Sequence, residues 1–290
     1  MADLRNSIAE IYAAYEQAGG STEDFILIGG NAGFQWYFAL TNADHSAVNE
    51  SHPLDTVDVD LQLRGGEPGE FKARIQRLAD AIGAEIAWPG FDDATPELAR
   101  LRVPNYHGPG LDLTIDLLHG PHGLKAAEIE RHAERLFHPY GGRQPLSYPI
   151  LHPVHVVIAL CENFIDLPSK RTLLTLNRIR ALLPIVRKYL VAQAAYAADP
   201  GKGDADARKQ VRKEARWGIQ ELMRRSATAR YAQLYVDDGV DITEGVPLRE
   251  EAPLNPAFWE SEMPALRERI ENRRQRVRNR IAQNRRSVRR

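Results

Sequence analysis

Val57-Asp58-Val59-Asp60-Leu61-Gln62-Leu63 alternates apolar and polar residues without interruption. Successive side chains on a strand point to opposite faces, so the stretch predicts a half-buried strand, apolar on one face, with Asp58, Asp60 and Gln62 on the other. Residues two apart project together, roughly 6.6 Å apart along the chain, and the two aspartates can therefore share an ion. The pattern returns downstream. Leu111, Leu113, Ile115 and Leu117 alternate with Asp112, Thr114 and Asp116, and before them Leu101 and Val103 alternate with Arg100 and Arg102. The segment between, 104–110, is rich in turn residues, so the region predicts an antiparallel hairpin. Aspartate is a poor strand residue, and clustered carboxylates repel and drift toward protonation unless a cation keeps them ionised. A hard, oxygen-seeking ion such as Mg2+ (or Mn2+) fits that need. The plain alternative is a wet sheet face with solvated aspartates.

Upstream, Ile8, Ile11, Tyr12 and Tyr15 sit at helical spacing and Gly19-Gly20 ends the pattern. The apolar run at 25–28 then predicts a strand, Gly29-Gly30-Asn31 a turn, and the dense apolar stretch from Phe34 to Leu40 a helix. Glycine at such a strand-to-helix turn lets the backbone approach a phosphate, and the helix N-terminus directs N–H groups at it. The spacing is not the Gly-x-Gly-x-x-Gly of a dinucleotide fold. A polar stretch follows at 41–54, and Phe71, Ile75, Leu78 and Ile82 before Gly83 predict another helix. From about residue 150 strand signals fade, and 152–166, 170–195, 205–236 and 257–288 look helical, with breaks at Asp199-Pro200-Gly201 and between Gly245 and Pro256. The fold class expected is α+β: a small mixed or antiparallel sheet flanked by helices over 1–148, then a helical domain over 149–290.

A chain of 290 residues, 43% hydrophobic and 27% charged, is long enough for two cores and ordinary enough in composition to fold. No apolar run is long enough to span a bilayer and no basic-then-apolar leader opens the chain, so a cytoplasmic protein is expected. The single cysteine, Cys161, excludes an internal disulfide and lies in an apolar pattern as a buried thiol would. The net charge of −1 hides an asymmetry. Segment 267–290 holds eleven arginines against Glu268 and Glu271, a local +9, so an acidic body ends in a basic arm.

Leu27-Ile28-Gly29-Gly30, Thr56-Val57-Asp58-Val59-Asp60-Leu61 and Thr114-Ile115-Asp116-Leu117 together resemble the three signatures of the polymerase-beta nucleotidyltransferase superfamily. The nearest likeness is to AbiEii-type toxins and related bacterial nucleotidyltransferases. It covers roughly 20–120, with a looser likeness from His152 to about Leu190, and an insertion at 41–54 accounts for the long span between Gly30 and Asp58. The resemblance implies a nucleotidyltransferase fold in which Asp58, Asp60 and Asp116 hold Mg2+ and are the catalytic carboxylates. Asp116 would accept the proton of an attacking hydroxyl, and Gly29, Gly30 and Asn31 would hold a nucleoside triphosphate. The nucleotide's α-phosphate would pass to an acceptor, with RNA such as a tRNA 3′ end as one candidate, and pyrophosphate would leave. A protein acceptor and a cognate antitoxin partner are further implications of the family. The rival reading is a noncatalytic RNA-binding or partner-binding protein on the same fold.

Between Asp112 and Asp116, alternation cannot choose. Asp112 follows Gly110-Leu111 close to the turn, where aspartate is common for local hydrogen bonding, whereas Asp116 sits between Ile115 and Leu117 with no such explanation. Asp116 is therefore the expected third carboxylate. Lys170 and Arg171 open a helix after Pro168 and are candidates for the triphosphate, against solvation as the plain reading. His152, His155 and Cys161 lack a fourth ligand at zinc spacing and the glutamate of a metalloprotease helix. His119 and His122 fall in a turn. In the arm, Ile270, Val277, Ile281 and Val288 make one thin apolar stripe on an otherwise basic helix, which suits either packing or contact with nucleic-acid phosphates.

Overall fold

The computed structural model describes residues 4–41, 54, 58–90, 97–138 and 146–288. Most of the polar stretch at 41–54, and Thr56-Val57 of the second signature, lie outside them. Helix α1 (Leu4–Gln17) buries Ile8, Ile11, Tyr12 and Tyr15, the residues its periodicity marked. A short 3-10 turn capped by Ser21 leads into β1 (Phe25–Ile28), which is buried at all four positions. Helix α2 (Gly29–Thr41) begins at the next residue. Then follow β2 (Asp58–Leu63), α3 (Pro68–Ile82), β3 (Glu85–Ala87), β4 (Glu97–Val103), β5 (Leu113–Leu118), α4 (Ala126–His132), β6 (Glu134–His138) and β7 (Leu146–Ile150). Gly83 closes α3 at φ +66°, a left-handed C-cap.

The strands form one mixed sheet in the order β3-β4-β5-β2-β1-β7-β6. β1 runs antiparallel to β2 and parallel to β7, β2 runs parallel to β5, and the remaining pairs are antiparallel. A strand bonded on both edges and covered on both faces needs an unbroken apolar run, which is what Phe25-Ile26-Leu27-Ile28 supplies. Beyond it, Leu151 N–H donates to the Leu27 carbonyl and the Trp36 indole donates to the Leu151 carbonyl, which ties the end of β7 to β1 and α2. The Tyr12 ring stacks on Tyr148 with centroids 4.6 Å apart, joining α1 to β7. Strands β3, β6 and β7 carry no expectation from the sequence: they are short, and β7 includes Pro149.

The chain divides into two compact units, 1–159 and 160–290, with the division inside α5 (Pro153–Asp166). The second unit is helical: α6 (Leu173–Ala198), α7 (Ala205–Ser226), α8 (Ala229–Asp238) and α9 (Met263–Val288), the last preceded by a π-turn at Phe258–Glu262. The sequence predicts a single helix over 205–236. Instead it is broken at Ala227-Thr228, where Thr228 takes an extended conformation and starts α8. The basic arm is α9 and it is packed: Ile270 and Val277 are buried, and the Arg274 guanidinium lies 3.9 Å from the centroid of the Tyr235 ring of α8. Arg274 also pairs with Asp241 at 2.6 Å and Glu271 at 3.0 Å. Among the described residues no helix is long and apolar enough to cross a membrane.

Candidate metal and nucleotide site

Strand register brings the predicted carboxylates together. β2 and β5 pair in parallel with Asp58 opposite Thr114 and Asp60 opposite Asp116, so Asp60 and Asp116 are nearest neighbours on one face of the sheet. Exposure falls along that face of β2, from exposed Asp58 through half-buried Asp60 to fully buried Gln62. The face is therefore wet at one end only, unlike the uniformly solvated face that would leave the aspartates unexplained. Asp58 makes no ion pair among the described residues.

Gly29 explains why the glycine turn and the aspartates occur together. Its φ is +67°, a left-handed conformation that costs an L-residue, and a Cβ placed there would fall inside the van der Waals envelope of the Asp60 carboxylate. Asp60 rests against the bare Cα at the start of α2. Asn31, one turn-position on, is fully buried, and its amide donates to the Asp58 carbonyl, which fastens α2 to the first residue of β2. Its Oδ1 is buried without a hydrogen-bond partner. The Asn31 side chain thus holds the strand in place, and what Gly29, Gly30 and Asn31 offer an anion is the first-turn backbone of α2.

Asp112 and Asp116 are held differently. Asp112 accepts the Asn105 N–H at 2.8 Å and pairs with Arg102 at 2.6 Å. Those two contacts, the backbone hydrogen bond foremost, hold its carboxyl below the ordinary carboxylate range. It is the local turn aspartate that its position suggested. Asp116 accepts from Arg100 Nε at 2.6 Å, and Arg100 also reaches Glu97 at 2.7 Å. The hydrogen bond and charge of Asp116 raise the Arg100 pKa above its usual value. Arg100 is a site residue that alternation alone did not single out. In the hairpin register Leu101 stands opposite Ile115, which sets Arg100 against Asp116.

With Asp116 drawn to Arg100, no three Asp, Glu, His or Cys side chains among the described residues converge as closely as a bound metal requires. Asp58, Asp60 and Asp116 share one face of the adjacent strands β2 and β5, and carboxylate oxygen is the donor type that Mg2+ takes. No family model matches this chain, and no curated protein matches it. The site must therefore be judged on its own geometry.

Lys170 and Arg171 belong to the second unit, where Arg171 donates to the carbonyls of Phe164 and Ile165 and satisfies the C-terminal end of α5. His152 is buried, and its Nδ1 accepts the Val154 N–H at the start of α5, an N-cap bond made by a histidine. Burial, aided by His155 and His132, pushes its pKa well below the usual value. Cys161 is fully buried and burial raises its thiol pKa, as an inert structural cysteine requires.

Proposed function

We propose that the chain is a divalent-metal-dependent nucleotidyltransferase that moves a nucleoside monophosphate from a nucleoside triphosphate to an acceptor, with an RNA 3′ end as the leading acceptor class. The observation that carries the reading is the juxtaposition of Asp60 and Asp116 across β2 and β5, with Gly29 lying directly against Asp60. Asp58 and Asp60 would hold the ion, joined by Asp116. Bound there, Mg2+ would neutralise charge building on the attacking and leaving oxygens.

The protein's own contribution is alignment. The first-turn N–H groups of α2 would receive the triphosphate, and the bond from Asn31 to the Asp58 carbonyl would keep α2 and β2 in fixed relation while they do so. Asp116, placed beside Asp60, is the group to take the proton of the acceptor hydroxyl. Arg100 holds Oδ1 of that carboxylate, so the proton would go to Oδ2. A toxin-like role with a cognate antitoxin belongs to the same reading.

The test is incubation with each labelled nucleoside triphosphate, Mg2+ or Mn2+, and total cellular RNA or protein. Label should enter a macromolecule, and Asp58→Asn, Asp60→Asn and Asp116→Asn should each lower incorporation at least about a hundredfold without lowering the melting temperature. One observation favours the noncatalytic rival, a binding protein on this fold: the engagement of Asp116 by Arg100. If calorimetry detects no Mg2+ or Mn2+ binding with nucleotide present, the rival is correct.

A further inference from the structure

Helix α7 carries Lys209, Arg212, Lys213 and Arg216 at spacings of three, one and three, which sets all four cations on one stripe of its surface. The stripe forms one wall of an open groove of about 490 Å³ whose other wall is the segment Pro253-Leu254-Asn255-Pro256, with Phe258 beneath. No acidic side chain lines it. Two other grooves of the same unit mix cations with carboxylates. Arg187, Arg267 and Arg274 face Glu244 and Glu271 in one, and Arg171, Arg230 and Arg280 face Asp237 and Asp238 in the other. The α7 groove alone of these three is lined by four cations and no carboxylate.

Its arginines are pinned from behind. Arg212 donates to the Ala197 carbonyl, and Arg216 pairs with Glu262 while its guanidinium lies over the Phe258 ring at 5.5 Å. Lys209 and Lys213 are exposed and make no ion pair among the described residues, so neither has a structural task. We propose that this groove binds the phosphodiester backbone of a single-stranded nucleic acid. Seven residue steps of helix extend the stripe over roughly 10 Å, more than one phosphate can use, so the groove suits successive phosphates on one strand. The opposite wall, with Pro253 and Pro256 exposed, offers apolar surface to sugars and base faces, and a strand presents that alternation of charge and flat apolar surface where an acidic peptide does not. The inference rests on the second unit alone and does not depend on nucleotidyl transfer.

The experiment titrates the full chain against a short labelled oligoribonucleotide and the oligodeoxyribonucleotide of the same sequence, following anisotropy as salt rises. Binding of either strand should weaken steeply with salt. The double variant Lys209→Glu, Lys213→Glu should keep the wild-type melting temperature, bind on the order of tenfold more weakly at low salt, and lower the salt slope by about 1.4, from about 0.7 per phosphate contact. The two strands differ only in the sugar and thymine methyl, and preference for one names the source. Unchanged affinity and slope in the double variant would overturn the proposal. So would full competition by polyglutamate of equal charge, which would make the groove a site for acidic protein, or by pyrophosphate, which would make it a small-anion site.

Discussion

Gly29→Ala tests the physical link between the glycine turn and the aspartate pair, and the fold contains its own control. Gly29 and Gly83 have nearly the same left-handed backbone, φ +67° and +66°, but an added Cβ at Gly83 meets nothing within 4 Å, whereas at Gly29 it collides with the Asp60 carboxylate. Gly83→Ala should therefore show the backbone cost alone, about 1 to 2 kcal/mol. Gly29→Ala should add the cost of overpacking, about 1 to 3 kcal/mol more. Asp60→Ala removes the two nearest atoms, the carboxylate oxygen and carbon, and leaves the Asp60 Cβ at 2.9 Å from the new methyl, so the double variant should recover part of the excess. The assay is urea unfolding of the four variants and wild type, read as a double-mutant cycle, with a coupling of at least about 1 kcal/mol expected. Equal costs at Gly29 and Gly83, or no rescue by Asp60→Ala, would show that Asp60 does not rest on Gly29 and would remove the structural link between the two motifs.

Arg100→Gln should free Asp116 and tighten Mg2+ binding about two- to fivefold, the worth of a half-exposed ion pair, measured by calorimetry with a nonhydrolysable nucleotide present; weaker binding would mean that Arg100 positions Asp116 rather than competing for it. The folded pKa of Asp112 is depressed, so its contribution to stability is present above the ordinary carboxylate pKa of about 4 and is lost as pH falls through the folded value. Asp112→Asn should accordingly lower the melting temperature at pH 7, and the difference from wild type should shrink as pH falls below about 4. Glu162 is buried and bonded to Arg225, Arg230 and the Tyr231 hydroxyl; Glu162→Ala should cost about 2 kcal/mol in urea unfolding, because it leaves the buried Tyr231 hydroxyl without its acceptor while Arg225 keeps Glu221 and Arg230 keeps Asp166, and a loss under about 0.5 kcal/mol would show that the hydroxyl finds another partner.

Elements with a strong period and their own boundary signals were legible in the sequence. The alternation of β2 and β5 and the hairpin of β4 and β5 occur where expected, and α3 ends at its glycine. Strand β7 could not be read, because its residues make sense only beside β1, to which it pairs in parallel through Leu27 and Ile150. The same limit applied at the site. That Asp58 and Asp60 share a face is a property of one strand, but the contact of Asp116 with Arg100 and the closeness of Gly29 to Asp60 depend on cross-strand register. The arm left two readings open because its stripe is thin; burial of Arg274 between Tyr235, Asp241 and Glu271 shows that part of a basic helix can pack through its charged residues as well as its apolar ones.

The interior place of β1 bears on the order in which the chain can assemble during synthesis. β2 and β5 are separated by α3, β3 and β4 and can pair once residue 118 has emerged, whereas the second edge of β1 waits for 146–151, more than a hundred residues after β1 itself. Until then the Leu27 carbonyl, the Trp36 indole and the Tyr12 ring lack the partners they have in the finished sheet. A nascent or truncated chain ending near residue 140 would expose an apolar strand edge of the kind that templates aggregation. Closing that edge is a long-range event, so the first unit should fold slowly for its size, and the carboxylate face should take shape before the unit is stable enough to use it.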